Sequence, residues 1–349
     1  MKEEEDMLAR RAFALKDLAV AAERRDAAEA RIAILIPCYN EELTIGEVVR
    51  QFRSQLPDAD IYVFDNNSSD LTVEEARNAG AIVFHERRQG KGYVVQSMFQ
   101  EVDADVYIMV DGDGTYPPAD VHKLIEPVLA READMVVGSR LHDECQSKFK
   151  RLNRLGNRIF LSVLNSIFKV RLTDILSGYR AFSRDFVRDI PLFGGGFEIE
   201  TELTIRALAR GYRIIEVPTD LGTRPEGSHS KIRLVQDGLL ILNTILALFR
   251  DYKPMTFFGA AGLAFIIGGL IPGAVVIIEF LKTGLVLHLP SAVLAVGLVL
   301  CGVLLMLAGL IVHTIVRRFQ EFDYQMRVLT NEVTSNRSSW KSKESREKL

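Results

Sequence analysis

The sequence contains few cysteines and no excess of basic residues. Its three cysteines, Cys38, Cys145 and Cys301, form no CxxC pair. We therefore expect neither a disulfide framework nor a zinc site, and this cysteine usage fits a reducing compartment. The formal net charge is −3, so no global positive field predicts binding to nucleic acid. The N-terminus, MKEEEDMLARRAF, lacks an apolar core, and no secretory signal is expected.

Long apolar runs are absent before about Arg233, but two of them follow near the C-terminus. Residues 254–278 carry no charge, and residues 289–316 contain His313 but no Asp, Glu, Lys or Arg. Each run exceeds the roughly 20 residues that are needed to cross a bilayer. The sequence therefore predicts a two-helix transmembrane hairpin over residues 254–316.

Basic residues flank this hairpin on its outer sides. Arg250 and Lys253 precede the first run, Arg317 and Arg318 follow the second, and the loop between the runs offers only Lys282. By the positive-inside rule, both outer flanks lie in the cytoplasm together with the N-terminal domain. We therefore expect a multi-pass membrane protein with a cytoplasmic catalytic domain.

Three further segments flank these regions. Residues 232–253 are strongly apolar but retain charges, which predicts an amphipathic helix in the membrane interface, with a core helix as the alternative. Residues 317–349 form a polar tail, which we expect to be irregular from about residue 331. Residues 1–30 are rich in Ala, Glu, Arg and Leu and predict a helical extension.

Between these segments, residues 31–231 show the pattern of an α/β domain. Helix-length polar segments, such as 43–55 and 70–79, separate short runs that are rich in valine and isoleucine. Five such runs are IAILIP (32–37), IYVFD (61–65), AIVFH (81–85), VYIMVD (106–111) and MVVGS (135–139). Buried strands that alternate with helices predict a largely parallel sheet.

Polar clusters follow three of the predicted strands, at residues 38–41, 65–67 and 111–113. Ligands of such sheets bind beyond the carboxyl ends of the strands, so these clusters indicate the active site. Asp111 and Asp113 are two carboxylates one residue apart, which suits Mg²⁺ or Mn²⁺. Such an ion would neutralise a leaving diphosphate, whereas an ordinary Asp-Gly turn is the alternative interpretation.

Other polar residues leave two interpretations open. Lys91 lies between two glycines and could contact a phosphate, although a plain turn explains the same pattern. Capping of the next helix explains the polar residues that follow Asp65, but it does not explain Asp65 itself. Asp65 could therefore accept a hydrogen bond from a base or ribose. Glu198 and Glu200 follow the glycine run 194–196, where they could bind sugar hydroxyls or simply favour a helix N-terminus.

Seven motifs occur in an order that is more specific than any one of them. They are IPCYNEE (36–42), FDNNSSD (64–70), GKG (90–92), DGDG (111–114), GSR (138–140), LSGYRAF (176–182) and EGSHSK (226–231). Together they resemble the family 2 glycosyltransferases of the dolichyl-phosphate mannose synthase and bactoprenol glucosyltransferase type. The resemblance implies a GT-A fold, a Rossmann-like sheet that holds a nucleoside diphosphate sugar, followed by the C-terminal interfacial helix and two transmembrane helices.

The resemblance also implies roles for individual residues. The nucleotide would be bound by Pro37, Tyr39, Glu41, Asp65, Lys91 and Asp111, and the metal by Asp111 and Asp113. The acceptor phosphate would be bound by Arg140, Arg154, Asn157, Ser177 and Arg180, with Asp174 in the same motif, and the sugar by Glu198 and Glu200. The catalytic set would be Asp113, Arg140, Arg180 and Lys231. Many relatives have a metal-binding Gln where this chain has Thr115.

The implied reaction is the inverting transfer of a sugar from a UDP- or GDP-linked donor to a polyprenyl phosphate. A phosphate monoester is already anionic at neutral pH, so no strong general base is required.

The alternative is a catalytically silent membrane sensor or scaffold for nucleotide-sugars. A processive polysaccharide synthase is disfavoured because the single tryptophan, Trp340, lies in SSWKS and not in QxxRW. A transporter is disfavoured too, because two spans enclose no transport pathway unless the chain forms a homo-oligomer. The oligomeric state stays open.

Overall fold

The computed structural model describes residues 30–140, residues 161–222 apart from 163, 167, 197 and 198, and residues 234–347. For residues 234–241, 320, 323, 324 and 327–347 it describes the backbone only. The chain divides into two compact units, residues 1–245 and 246–349. The N-terminal helix predicted for residues 1–30 therefore lies almost entirely outside the described residues.

The first unit alternates strands and helices. Its strands are β1 (Ile32–Cys38), β2 (Asp60–Asp65), β3 (Ile82–His85), β4 (Val106–Met109), β5 (Met135–Ser139), β6 (Arg180–Ser183) and β7 (Ile214–Pro218). Its helices are α1 (Ile45–Gln55), α2 (Thr72–Asn78), α3 (Lys91–Glu101), α4 (Val121–Leu129), α5 (Arg184–Asp189) and α6 (Ile199–Arg210). Helix α7 (Leu234–Tyr252) follows and continues into the second unit.

The seven strands form one sheet in the order β3-β2-β1-β4-β6-β5-β7. All of them are parallel except β6, which pairs antiparallel with both β4 and β5. From β1 the chain first builds outward to β2 and β3, and then returns to add β4 on the other side of β1. In doubly wound sheets, ligands bind beyond the carboxyl ends of the strands where the order reverses, which here are β1 and β4.

Apolar side chains cover both faces of the sheet. Along β1, Ile34 and Ile36 belong to one hydrophobic cluster, whereas Ala33 and Leu35 belong to the other. This alternation follows from the two-residue period of a strand. Helices α1 and α4 contribute side chains to the first cluster, and α3 and α6 contribute to the second. The domain therefore has three layers, which explains why its strands read as nearly continuous apolar runs.

The five predicted strands are confirmed, and the sheet is largely parallel as expected. The fourth strand ends at Met109, so Asp111 lies on the loop that follows it, as expected. Strands β6 and β7 were not predicted. Strand β6 is only four residues long and begins with Arg180, so it lacks an apolar run. Antiparallel pairing of β6 brings Arg180 opposite both Met109 of β4 and Val137 of β5.

The second unit contains two long helices, α8 (Pro254–Thr283) and α9 (Leu289–Glu347). Both are long and apolar enough to cross a membrane over Pro254–Thr283 and Leu289–Phe319, judged by length and composition. They approach closely at two glycines, where a methyl group on Gly262 would lie 2.7 Å from the carbonyl oxygen of Gly302. Helix α8 ends at Gly284, which adopts a left-handed conformation with φ of 71°.

The prediction of an irregular tail from about residue 331 is wrong, because α9 continues to Glu347. No glycine or proline follows Gly309, so no residue in this segment strongly interrupts a helix. The predicted interfacial helix over residues 232–253 corresponds to α7. Its placement in a membrane interface stays a prediction.

Candidate active site

The polar residues of the candidate site follow neighbouring strands at the carboxyl edge of the sheet. Asp65 is the last residue of β2, Asp111 lies two residues beyond β4, and Arg140 follows β5 directly. Pro37 lies near the end of β1 and Tyr39 just beyond it, where 40% of Tyr39 is exposed. The topology therefore brings these predicted ligand-binding residues to one edge of the sheet.

Hydrogen bonds join the loop after β1 to the loop after β2. The Asn40 amide donates to Ser68 Oγ at 2.9 Å, and the Ser69 amide donates to Asn40 Oδ1 at 2.8 Å. The Glu41 amide donates to Thr72 Oγ1 at 2.8 Å. Ser68 and Ser69 of FDNNSSD, together with Thr72, thus fix the IPCYNEE loop, a structural role that exists beside any contact with a nucleotide.

Asp65 is buried and is held by two partners. His85 lies opposite it in the β2–β3 register, with Nδ1 2.9 Å from Asp65 Oδ2, and the Ser68 amide donates to Asp65 Oδ1 at 3.2 Å. Because both strands are parallel and in register, the two side chains meet at the same sheet edge. His85 was not singled out from the sequence, since one histidine at the end of a short strand carries no local signal.

Asn66 organises the loop that leads to Lys91. Its side-chain amide nitrogen donates to the carbonyl oxygens of Glu86 and Arg88 at 3.0 and 2.8 Å, and its Oδ1 accepts from the Gly90 amide at 2.7 Å. Buried backbone groups need such partners outside regular structure. Asn66 therefore fixes the backbone immediately before Lys91.

Lys91 lies between two carboxylates. Its Nζ is 2.6 Å from Asp111 Oδ1 and 2.5 Å from Glu200 Oε1, and only 13% of its side chain is exposed. Burial alone would lower the pKa of Lys91, but the charges of Asp111 and Glu200 raise it above its ordinary value. Lys91 is therefore a permanent cation at the edge of the DGD loop, and the plain-turn interpretation does not account for this position.

Asp113 is buried, and Thr115 contacts it. The Thr115 amide and hydroxyl donate to Asp113 Oδ1 at 3.1 and 2.6 Å. Where relatives have a metal-binding Gln, this chain thus has a hydroxyl that orients the preceding carboxylate. Within the described residues, no group of three His, Cys, Asp or Glu side chains could hold a metal. Mg²⁺ at phosphoryl sites needs only one or two carboxylates besides substrate oxygens, so Asp111 and Asp113 fit that donor set.

The GKG motif packs against the glycine run 194–196. A methyl group on Gly92 would lie 2.7 Å from the carbonyl carbon of Gly194, and the Gly92 amide donates to the Gly195 carbonyl at 3.2 Å. Glu202 holds the same run from the other side, because its carboxylate accepts from the amides of Phe193 and Gly194 at 3.1 and 2.8 Å. Two glycine motifs far apart in sequence therefore form one backbone contact beside Lys91.

Arg140 forms a bidentate ion pair with Asp174. Its Nε and one terminal nitrogen lie 2.8 and 3.0 Å from the two oxygens of Asp174, which is almost completely buried. Burial would raise the pKa of Asp174, but Arg140 lowers it below its ordinary value. Burial would likewise lower the pKa of Arg140, but Asp174 raises it, and Asp111 contributes to the same increase. Arg140 is thus a fixed cation within electrostatic reach of the DGD loop.

Arg180 and Ser177 are completely buried. The Arg180 guanidinium donates to the carbonyl oxygens of Ile175 and Ser177 at 2.7 and 2.8 Å and to Thr204 Oγ1 at 2.9 Å. A side chain with no exposed surface cannot contact a ligand directly, so direct phosphate binding by these two residues does not fit this structure. Their position instead supports the loop that carries Asp174 and Gly178.

Gly178 packs against the DGD loop. A methyl group at Gly178 would overlap the carboxylate of Asp111. The Gly178 amide donates to the Tyr116 hydroxyl at 3.0 Å. An alanine at position 178 would therefore have to displace the Asp111 carboxylate, so the glycine leaves room for that side chain.

Four of the predicted site residues, Arg154, Asn157, Glu198 and Lys231, lie outside the described residues. Among the described candidates, Glu200 is buried and pairs with Lys91, so its carboxylate is already engaged. Pro37 lies in β1 near its carboxyl end, and Tyr39 and Glu41 follow that end.

Comparison with known proteins identifies the family. The family model described as glycosyl transferase family 2 matches residues 33–190. The chain is also 35% identical over 291 residues to glycosyltransferase AglJ of Haloferax volcanii, which covers 83% of this chain and 95% of that protein. The chain belongs to glycosyl transferase family 2. As a family 2 glycosyltransferase it is an enzyme, and the resemblance predicted from the seven motifs is confirmed.

Two further comparisons concern a relative with a named reaction and a solved structure with a similar fold. It is 32% identical over 187 residues to a dolichyl-phosphate hexose transferase of Haloferax volcanii, covering 54% of this chain and 81% of that protein. Its fold is similar to glucosyl-3-phosphoglycerate synthase of Mycobacterium tuberculosis in complex with Mn²⁺, UDP-glucose and phosphoglyceric acid. The TM-score is 0.55 at 25% identity, covering 65% of this chain and 82% of that one. The predicted GT-A fold is confirmed.

Proposed function

We propose that this family 2 glycosyltransferase moves a sugar from a UDP- or GDP-linked donor to the phosphate of a polyprenyl phosphate, with inversion at the anomeric carbon. The observation that best supports this reaction is that Asp111, Asp113 and Arg140 lie at one sheet edge in a chain that also has two apolar helices. The relative named dolichyl-phosphate hexose transferase supports the same reaction class.

The nucleotide half of the site would lie at the carboxyl ends of β1, β2 and β4. We assign the nucleoside to Pro37, Tyr39, Glu41 and Asp65, and we place Asp111 on its ribose side. Lys91 supplies a permanent positive charge beside Asp111, where it would face a developing diphosphate anion. The solved complex of a fold relative with UDP-glucose supports a nucleotide-sugar as the donor.

Asp111 and Asp113 would hold Mg²⁺ or Mn²⁺ together with diphosphate oxygens, and the ion would neutralise the leaving diphosphate. Thr115 donates to Asp113 and so holds one carboxylate oxygen in a fixed orientation. The complex of the fold relative with Mn²⁺ supports a divalent ion in the reaction.

The acceptor half would be centred on Arg140. Its guanidinium is held by Asp174 and would orient a phosphate monoester toward the anomeric carbon. The monoester is anionic near neutral pH, so it can attack without a strong general base. Catalysis then rests on in-line positioning and on charge neutralisation by Arg140 and Lys91, to which an ion held by Asp111 and Asp113 would add. The motif matches of Arg154 and Asn157 assign them to the same acceptor side, and the motif match of Lys231 assigns it to a closing loop and to the catalytic set.

The C-terminal unit would keep the enzyme at the membrane that contains its acceptor. A polyprenyl tail cannot leave the bilayer, and the two apolar helices give the chain a matching anchor. We place the catalytic unit on the cytoplasmic side, because Arg250, Lys253, Arg317 and Arg318 flank the helices there.

The first test is a transfer assay with protein that has been purified in detergent. The enzyme would receive a polyprenyl phosphate, Mg²⁺ or Mn²⁺ and a panel of radiolabelled UDP- and GDP-sugars, and organic-phase label would be counted. We expect one donor to label the lipid, and we expect Asp113→Ala to reduce the label at least about 100-fold, as loss of a group that stabilises transition-state charge does.

Two controls decide what a negative result means. Glu126→Gln changes an exposed carboxylate on α4 and should retain wild-type activity. Binding of each donor would be measured separately by equilibrium dialysis. Donor binding without any lipid labelling would argue against the proposed reaction and would favour a nucleotide-sugar sensor or scaffold.

A further inference from the structure

Glu216 lies on the strand next to the candidate acceptor site, but it belongs to none of the seven sequence motifs. It is the middle residue of β7 and pairs in register with Val137 of β5. Arg140 follows the same strand three residues later. Glu216 is therefore close to the acceptor side of the site without being part of it.

The carboxylate of Glu216 binds the backbone of the loop that carries Asp174. Glu216 Oε1 accepts from the amides of Thr173 and Asp174, both at 2.9 Å. Its Oε2 accepts from the Thr173 amide at 2.8 Å and from Thr173 Oγ1 at 2.9 Å. Ser139 Oγ lies 2.8 Å from the same threonine hydroxyl. One side chain therefore fixes two consecutive peptide units.

The fixed loop then orients the acceptor-side arginine. Asp174 presents its two oxygens to Arg140 Nε and to a terminal nitrogen at 2.8 and 3.0 Å, and it also accepts from the Arg140 amide at 3.2 Å. Bidentate pairing constrains the plane of a guanidinium as well as its position. A displacement of the Asp174 backbone would therefore rotate or release the Arg140 side chain.

We infer that Glu216 is a positioning residue for the acceptor phosphate, acting through the Asp174 backbone and the Asp174–Arg140 ion pair. This inference rests on the proposed function, in which Arg140 binds that phosphate. Glu216 itself touches neither substrate. Its effect should appear in acceptor binding and not in donor binding, because the donor residues lie after β1, β2 and β4.

Glu216→Gln is the most informative substitution, because it removes the charge and keeps the size of the side chain. The variant retains one acceptor oxygen, but the other oxygen becomes an amide nitrogen that cannot accept the hydrogen bonds of Thr173. We expect the KM for polyprenyl phosphate to rise about tenfold, the equivalent of one charged hydrogen bond, with the donor KM unchanged within about twofold. Thr173→Val removes only the hydroxyl donor and should raise the acceptor KM by a smaller factor.

A double-mutant cycle with Arg140→Ala separates positioning from general stability. If Glu216 acts through Arg140, Glu216→Gln should have almost no further effect on acceptor KM in the Arg140→Ala background. A purely structural role would give additive losses and would change both KM values or the amount of folded enzyme. Thermal melting of every variant provides the folding control, and Glu126→Gln is the matched surface substitution.

The outcomes distinguish the inference from the proposed function. An active wild type with an unchanged acceptor KM in Glu216→Gln, or with additive effects in the cycle, would overturn the inference alone. A wild type that transfers no sugar to polyprenyl phosphate would overturn the proposed function and the inference with it. A selective rise in acceptor KM that disappears without Arg140 would support both.

Discussion

Ion pairs with little exposure fix several polar side chains around the candidate site. Lys91 pairs with Asp111 and Glu200, and Arg140 pairs with Asp174. A buried charge is expensive unless it is paired, and removing one partner leaves the other uncompensated. These residues are therefore coupled to one another, and a substitution at Glu200 would act on Asp111 through Lys91 even where Glu200 touches no sugar.

A further ion pair, between Glu86 and Arg88, predicts how stability depends on pH. Hydrogen bonds from Arg88 at 2.7 to 3.1 Å lower the pKa of Glu86 from an ordinary 4.5 to about 2, although burial acts in the opposite direction. Ser97 donates to the same carboxylate. A folded-state pKa below the unfolded value gives stability that is present above about pH 4.5 and is lost as the pH falls toward 2.

We expect Glu86→Gln to melt at a lower temperature than the wild type at pH 7, with the two melting curves converging as the pH approaches 2. Circular dichroism of the detergent-solubilised protein would measure both curves between these values. Glu126→Gln serves as the surface control. A difference in melting temperature that stays constant across this range would show that the Glu86 charge is not the cause.

Among the secondary-structure elements, the contact between α3 and the glycine run 194–196 tolerates the least additional volume. Helix α3 begins with Lys91, and Gly92 is its second residue. A methyl group on Gly92 would lie 2.7 Å from the Gly194 carbonyl carbon and 2.9 Å from that of Gly195. Both neighbours are backbone atoms, so the overlap can be relieved only if the helix and the loop separate.

We therefore expect Gly92→Ala to destabilise the protein by about 1 to 3 kcal/mol, the usual range for overpacking, and to reduce transfer activity by displacing Lys91. Gly46→Ala in α1 is the matched control, because its added methyl group would meet side-chain atoms only at 3.4 Å or more. Alanine in a helix interior should be neutral or stabilising by about 0.5 to 1 kcal/mol there. Melting temperatures that fall equally in both variants would contradict this explanation.

At the scale of the whole molecule, the distribution of basic residues predicts the orientation in the membrane. The connection between α8 and α9, residues 284–288, would lie on the side opposite the first unit. In spheroplasts of the expression host, a membrane-impermeant maleimide should label Val286→Cys and not Asp58→Cys, both of which replace exposed residues. The wild type gives the background from its own cysteines. Labelling of Asp58→Cys in intact spheroplasts would place the catalytic unit outside.

The local pattern of the chain was sufficient for much of the fold. Valine- and isoleucine-rich runs identified β1 to β5, because strands buried on both faces leave a nearly continuous apolar signal. The two apolar runs identified α8 and α9, since a bilayer requires an uninterrupted length of hydrophobic residues. Asp111, Asp113 and Lys91 were recognised from the ordered set of seven motifs, because each motif alone also fits an ordinary turn.

Only the tertiary structure decided the partners of those residues. The pairing of Lys91 with Glu200 joins positions 109 residues apart, and that of Glu216 with Thr173 joins positions 43 apart. Neither local propensity nor periodicity carries information about such separations. Burial of Arg180 was likewise unpredictable, because the antiparallel insertion of β6 between β4 and β5 places that arginine inside the sheet. The sequence by itself determined the family, five of the strands and the apolar helices, whereas long-range packing determined which polar groups pair with one another and which hold loops in place.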